Sequence, residues 1–165
     1  MTQARGGPVG MAILRIALGL TLVFTWFDNV DKDLYSKDGF KGFLEWLHTP
    51  VADGGNGGSL APYEFFLDKV VIPGAAFFGP LQLVVELAIG VALILGVGTR
   101  LASLLATLFF ANLLLAYFGG EEWIWTYVVL TAGALAVFLG YGGRTLGIDQ
   151  WLHKTRGDSP GTLVW

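Results

Sequence analysis

The sequence predicts an all-α integral membrane protein, a bundle of four transmembrane helices with amphipathic helices in the long loop between helices 1 and 2. Three observations predict it. The 165 residues are 54% hydrophobic and only 14% charged, with a mean hydropathy of +0.62, far more apolar than a soluble domain. Several apolar runs are long enough to cross a hydrocarbon core, which takes about 20 helical residues. These runs are rich in Leu, Val, Ala and Phe and lack the alternation of barrel strands. A spanning backbone must satisfy its own hydrogen bonds, which a helix does internally.

The predicted spans are residues 9–27, 75–97, 101–118 and, at the short end, 124–139. They leave an outer loop at 28–72 and a tail at 144–165, all within a single domain, 1–165. The first span follows Arg5, as a secretory signal would, but it ends in Thr25-Trp26-Phe27-Asp28 rather than at a small-residue cleavage site. A retained anchor is expected.

Lys and Arg set the orientation. Arg5, Arg100, Arg144, Lys154 and Arg156 fall on one side, in short segments near helix ends. Lys32, Lys37, Lys41 and Lys69 share the long loop opposite, where charge counts for less. The acids concentrate between Asp28 and Asp68, joined by Glu121 and Glu122. Both termini are therefore expected in the cytoplasm, and the net charge of −3 faces outward. No basic patch with interleaved aromatics points to nucleic acid.

Within the outer loop, Phe40, Phe43, Leu44 and Leu47 recur at helical spacing, with Lys41, Glu45 and His48 between them. Tyr63, Phe66, Leu67 and Val70 repeat the pattern after Pro62, a residue suited to a first helical turn. The connector ADGGNGGSLAP is flexible by composition. Two aromatic-bearing helices lying flat would roof the bundle, either as packing and anchoring or as the entrance for a lipophilic ligand.

Cysteine is absent, which excludes a disulfide relay, a thiolate nucleophile and a cysteine-ligated cluster from this chain. His48 and His153 fall on opposite sides of the predicted membrane and cannot share a metal or a haem. No metal site is expected. GGNGGS and YGGRTLG lack the strand that a dinucleotide motif needs and suit a linker and a helix end. Electrons, if handled, belong to a partner or a diffusible carrier.

Two charges lie inside the apolar runs. Arg15 precedes Gly19 by four residues, and Glu86 precedes Gly90 by four, so each charge shares a helix face with a glycine that lets a neighbouring backbone approach. A charge at membrane depth costs about 2.5 to 3.5 kcal/mol, so it faces a cavity or finds a partner. The predicted spans put Arg15 and Glu86 about 7 Å apart along the membrane normal, which an ion pair could bridge with helix tilt, although the side chains lean toward their own N-termini and hence apart. Gln82, one turn from Glu86, and Asn112 in the third span complete a candidate polar pocket of Arg15, Gln82, Glu86 and Asn112. Either the pair fixes helix register, or the pocket receives the head group of a lipophile, with Glu86 available to exchange a proton.

The motifs LRIALG, VELAIGVALILGVGTRLASLLA and GYGGRTLGIDQWL, in this order across residues 12–152, resemble those of the DoxX/DoxD family of small four-helix membrane proteins. By position Arg15, Glu86, Arg100 and Asp149 match the family's recurring polar residues, with Gly19 and Gly90 beside the first two. Lys32 falls near the lysine that often follows helix 1, but the glycine expected before it is missing from FDNVDKD. The resemblance implies a multi-pass protein of a prokaryotic plasma membrane. DoxD-like members form a membrane subunit of thiosulfate:quinone oxidoreductase, and DoxX-like members accompany redox and thiol-stress proteins. The expected function is an accessory subunit of a quinone-linked redox system, with a quinone and a partner subunit as ligands and no covalent cofactor. The alternatives are a non-catalytic anchor or assembly subunit and a small-lipophile carrier.

Overall fold

The computed structural model describes residues 6–156. Arg5, the side chain of Arg156 and the tail from 157 onward lie outside the described residues. Every regular element among the described residues is helical: α1 (Gly6–Asp31), α2 (Lys37–His48), α3 (Ala61–Phe66), α4 (Ala75–Leu95), α5 (Thr99–Ala116), α6 (Trp125–Leu139) and α7 (Ile148–Arg156). α1, α4 and α5 are long and apolar enough to cross a membrane, and the apolar α6 is shorter.

Helix ends depart from the apolar runs for local reasons. α1 continues past Phe27 through Asp28–Asp31, because the loss of hydrophobicity marks where burial in lipid would stop, not where backbone bonding stops. α4 ends at Leu95, two residues short of the apolar run, because Gly96 turns left-handed at φ 66. Gly98 does the same at φ 56, and α5 begins at once with Thr99 rather than at 101.

The four apolar helices close a ring: α1 packs against α4 and α6, and α5 against α4 and α6. Leu18, Leu22, Ile89, Leu93, Phe110 and Val137 fill its centre. Phe24, Phe77, Val84, Leu108 and Val129 point outward, each more than half exposed, an apolar exterior suited to lipid rather than water. Gly19 and Gly90 meet across the α1–α4 contact, as their spacing predicts. A Cβ on Gly19 would lie 2.8 Å from the Gly90 carbonyl oxygen, so only glycine permits this approach.

Above the ring, Ser36 caps α2 by accepting the Gly39 N–H at 3.0 Å, and α2 buries Phe40, Leu44 and Leu47 against α4. The second segment departs from its predicted face. α3 runs into a π turn over Leu67–Val71, and the extra residue per turn rotates the register so that Val71 rather than Val70 shares the buried face of Leu67; Phe66, before the turn, is also exposed. The connector is also more fixed than its glycines suggest. Gly57 N–H bonds to Thr49 O, Gly58 N–H to Leu47 O and Leu60 N–H to Leu115 O, and Ser59 Oγ donates to Ala116 O at 2.7 Å.

Candidate functional site: a carboxyl in paired cavities

Two cavities lie beneath the roof. The first, about 330 Å³, sits among α2, α3, α4 and α5 and is lined mainly by Phe, Leu and Val, with Tyr63, Gln82 and Asn112 as its polar groups. The second, about 260 Å³, lies inside the ring and has Asn29, Gln82, Glu86 and Tyr127 among its lining. Phe43, Gln82, Phe109 and Leu113 line both. Thr21, Thr25 and Thr126 line the second cavity and are exposed on the outer surface of α1 and α6, so this cavity reaches the exterior between those helices.

Glu86 is 1% exposed. Tyr35, itself buried in the turn after α1, donates its hydroxyl to Glu86 Oε2 at 2.7 Å. Asn29 Nδ2 in turn donates to the Tyr35 oxygen at 3.2 Å, and Gln82 and Asn29 face the same carboxyl. Burial pushes the Tyr35 phenol above its ordinary range. Glu86 Oε1 accepts no hydrogen bond from a described residue, a position a buried carboxyl oxygen holds only at a cost.

Arg15 is elsewhere. It is fully buried and donates from Nη2 to the Leu146 carbonyl at 2.8 Å. Its guanidinium fills the space a Cβ would need at Gly96 and Gly147, and Asp149 is the acid that acts on it. The Asp149 carboxylate accepts the Gly98 N–H at 2.8 Å and the Thr99 N–H at 2.7 Å, and the Asp149 N–H returns a bond to Gly96 O at 2.8 Å. Gly143 sits against this carboxylate so closely that no side chain fits. These contacts tie α1, the α4–α5 turn and α7 into one polar knot. Arg100 lies beside it, 4.6 Å over the Tyr141 ring and 5.2 Å over Phe138.

The predicted ion pair between Arg15 and Glu86 is therefore not made: each has another partner, and no Arg15–Glu86 contact is among the described salt bridges. Arg15 contacts Gly96, which is ten residues along α4 from Glu86, about 15 Å at a rise of 1.5 Å per residue. The predicted 7 Å rested on span boundaries and omitted the 96–98 turn and the 146–149 segment, which supply Arg15 with partners. Arg15 is also no part of the pocket proposed for it. Gln82 and Glu86 share the second cavity, whereas Asn112 lines the first, is exposed on α5 and accepts the Tyr63 hydroxyl at 2.6 Å. Tyr35 and Asn29 escaped sequence inspection, and Tyr63 was read only as part of an amphipathic face, not as the donor to Asn112. Tyr35 belongs to no periodic segment, and the available signal was the need of a buried carboxyl for a donor. His48 pairs with Asp68 across the roof, 3.3 Å apart.

The ring of apolar helices, lipid-suited outside and holding a buried carboxyl beside two cavities, defines a membrane protein. The chain belongs to the DoxX family, whose sequence model matches residues 10–118, from α1 to just past the end of α5. No solved structure matches it.

Proposed function

We propose that this chain is an integral membrane subunit of a quinone-linked redox system, in which the paired cavities hold the quinone and a partner subunit exchanges electrons with it. The observation that carries this reading is the buried Glu86 carboxyl, held by Tyr35 in a cavity that shares Phe43, Gln82, Phe109 and Leu113 with a larger apolar one. A quinone needs polar groups at its head and an apolar sleeve for its tail. The threonine-flanked opening between α1 and α6 leads to the surface that would face lipid.

In this proposal α6 is a fourth span. Its 15 residues reach about 22 Å, and local bilayer thinning with interfacial anchoring by Trp123, Trp125 and Tyr141 makes up the difference. Both termini face the cytoplasm of a prokaryotic plasma membrane, and α2 and α3 lie at the outer interface.

A soluble short-tailed benzoquinone should raise the melting temperature of the protein in lipid nanodiscs, as any ligand that prefers the native state does. Leu113→Trp, which fills the shared wall, should abolish the rise while helicity is retained. An unchanged melting temperature at saturating quinone removes the support for this function and leaves the non-catalytic assembly subunit as the better reading.

A further inference from the structure

The hydrogen bonds around Glu86 specify which of its oxygens can change protonation. Asn29 Nδ2 donates to the Tyr35 oxygen, so the single phenolic proton is directed to Glu86 Oε2. In this arrangement Oε2 accepts that proton, which favours Oε1 as the site of a proton on the carboxyl. That oxygen accepts no hydrogen bond from a described residue, although Gln82 and Asn29 stand near the carboxyl, and its side chain lines the second cavity.

We infer that Glu86 Oε1 is the atom that reads the redox form of the ring bound in the second cavity. This rests on the quinone reading above and assigns its head-group contact. When Glu86 is ionised, Oε1 accepts the hydroxyl of a hydroquinone. When Glu86 is protonated, Oε1–H donates to a quinone carbonyl. Tyr35 and Asn29 act as positioning residues, because they hold the proton off Oε2. The same carboxyl thus favours the reduced ring at high pH and the oxidised ring at low pH.

The surroundings leave Glu86 as the group that titrates. The lining residues from α1 are Thr21, Leu22, Thr25 and Asn29, that from α2 is Phe43, and Gln82 stands beside Glu86 on α4; none of these ionises. Tyr35 from the turn after α1, Tyr117 at the end of α5 and Tyr127 of α6 are phenols, which ionise near pH 10 even in water. Arg15 on α1 is engaged at Leu146, about 15 Å along the helices.

The test is calorimetric titration of nanodisc-embedded protein with a short-tailed benzoquinone and, anaerobically, its hydroquinone, between pH 6 and 8.5. Hydroquinone affinity should rise with pH and quinone affinity should fall, each by up to about tenfold per pH unit. Glu86→Gln, whose amide offers both a donor and an acceptor at every pH, should bind both forms with flat profiles. Tyr35→Phe, which leaves the carboxyl in place, should keep the opposed slopes but move their crossing to higher pH, because the ionised form has lost a donor. Equal slopes for the two ring forms, or slopes unchanged by Glu86→Gln, overturn the assignment of Oε1 and leave the quinone site standing. If neither form binds at any pH, the quinone site and the assignment fall together.

Discussion

Asp149 Oδ2 accepts the backbone N–H of Thr99 at 2.7 Å, so a carboxylate near the start of α7 caps the first turn of α5, and its second oxygen takes the neighbouring Gly98 N–H. Four N–H groups at a helix start have no partner within the helix, and an anion is favoured there by the helix dipole. The α4–α5 turn supplies no side-chain cap of its own. Hydrogen bonds to a charged group contribute about 1.5–3 kcal/mol each. Asp149→Ala should therefore destabilise the protein by about 3 kcal/mol or more, and Asp149→Asn, which keeps one acceptor, by about half as much. Chemical denaturation in mild detergent measures both. A loss below about 0.5 kcal/mol, typical of a surface change, would show that the cap is not maintained.

Arg15 and Glu86 share no partner, so their substitutions should act independently. Arg15→Gln and Glu86→Gln are expected to add within about 0.3–0.5 kcal/mol in a double-mutant cycle, whereas Arg15→Gln with Asp149→Asn should show coupling of about 0.5 kcal/mol or more. Strong coupling between Arg15 and Glu86 would mean that they meet after all.

Tyr63 bridges the roof to α5 through Asn112. Burial pushes its phenol up to about 12, with the hydrogen bond to Asn112 opposing that rise. The unfolded phenol ionises near 10, so the raised folded value contributes stability that is complete below about pH 10 and is lost as pH climbs toward 12. Tyrosinate absorbance should show one residue titrating near pH 12 in the wild type and missing from Tyr63→Phe. The variant should also lose less stability than the wild type between pH 10 and 12.

Orientation can be tested directly because the chain has no cysteine. Asp53→Cys and Lys154→Cys place thiols at exposed positions in the long loop after α2 and in α7. A membrane-impermeant maleimide should label the first in intact cells and the second only after lysis. The reverse pattern would invert the topology and move the α2–α3 roof to the cytoplasmic side.

Several features were legible in the residues. The length of each apolar run places a helix to within a few positions, and the Arg15–Gly19 and Glu86–Gly90 spacing correctly puts both glycines in the α1–α4 contact and both charges in the interior. The α2 face of Phe40, Leu44 and Leu47 is buried as its period predicts. The misses are equally specific. The π turn at Leu67–Val71 moves the buried face from Val70 to Val71, and no local pattern announces an extra residue in a turn. The glycine-rich connector is held by backbone bonds to Leu47, Thr49 and Leu115, partners supplied by helices far along the chain.

Composition and periodicity determined by themselves that this chain builds apolar helices with two charges buried among them, because hydrophobic length and helical phase are local properties. Only the tertiary structure decided that Arg15 joins Leu146 and the Asp149 knot, while Glu86 joins Tyr35 nearly three turns away along α4. A buried charge in a sequence announces that it needs a partner. Which partner it takes depends on helix register and on how the turns close, and for both charges the deciding groups come from segments outside the apolar runs.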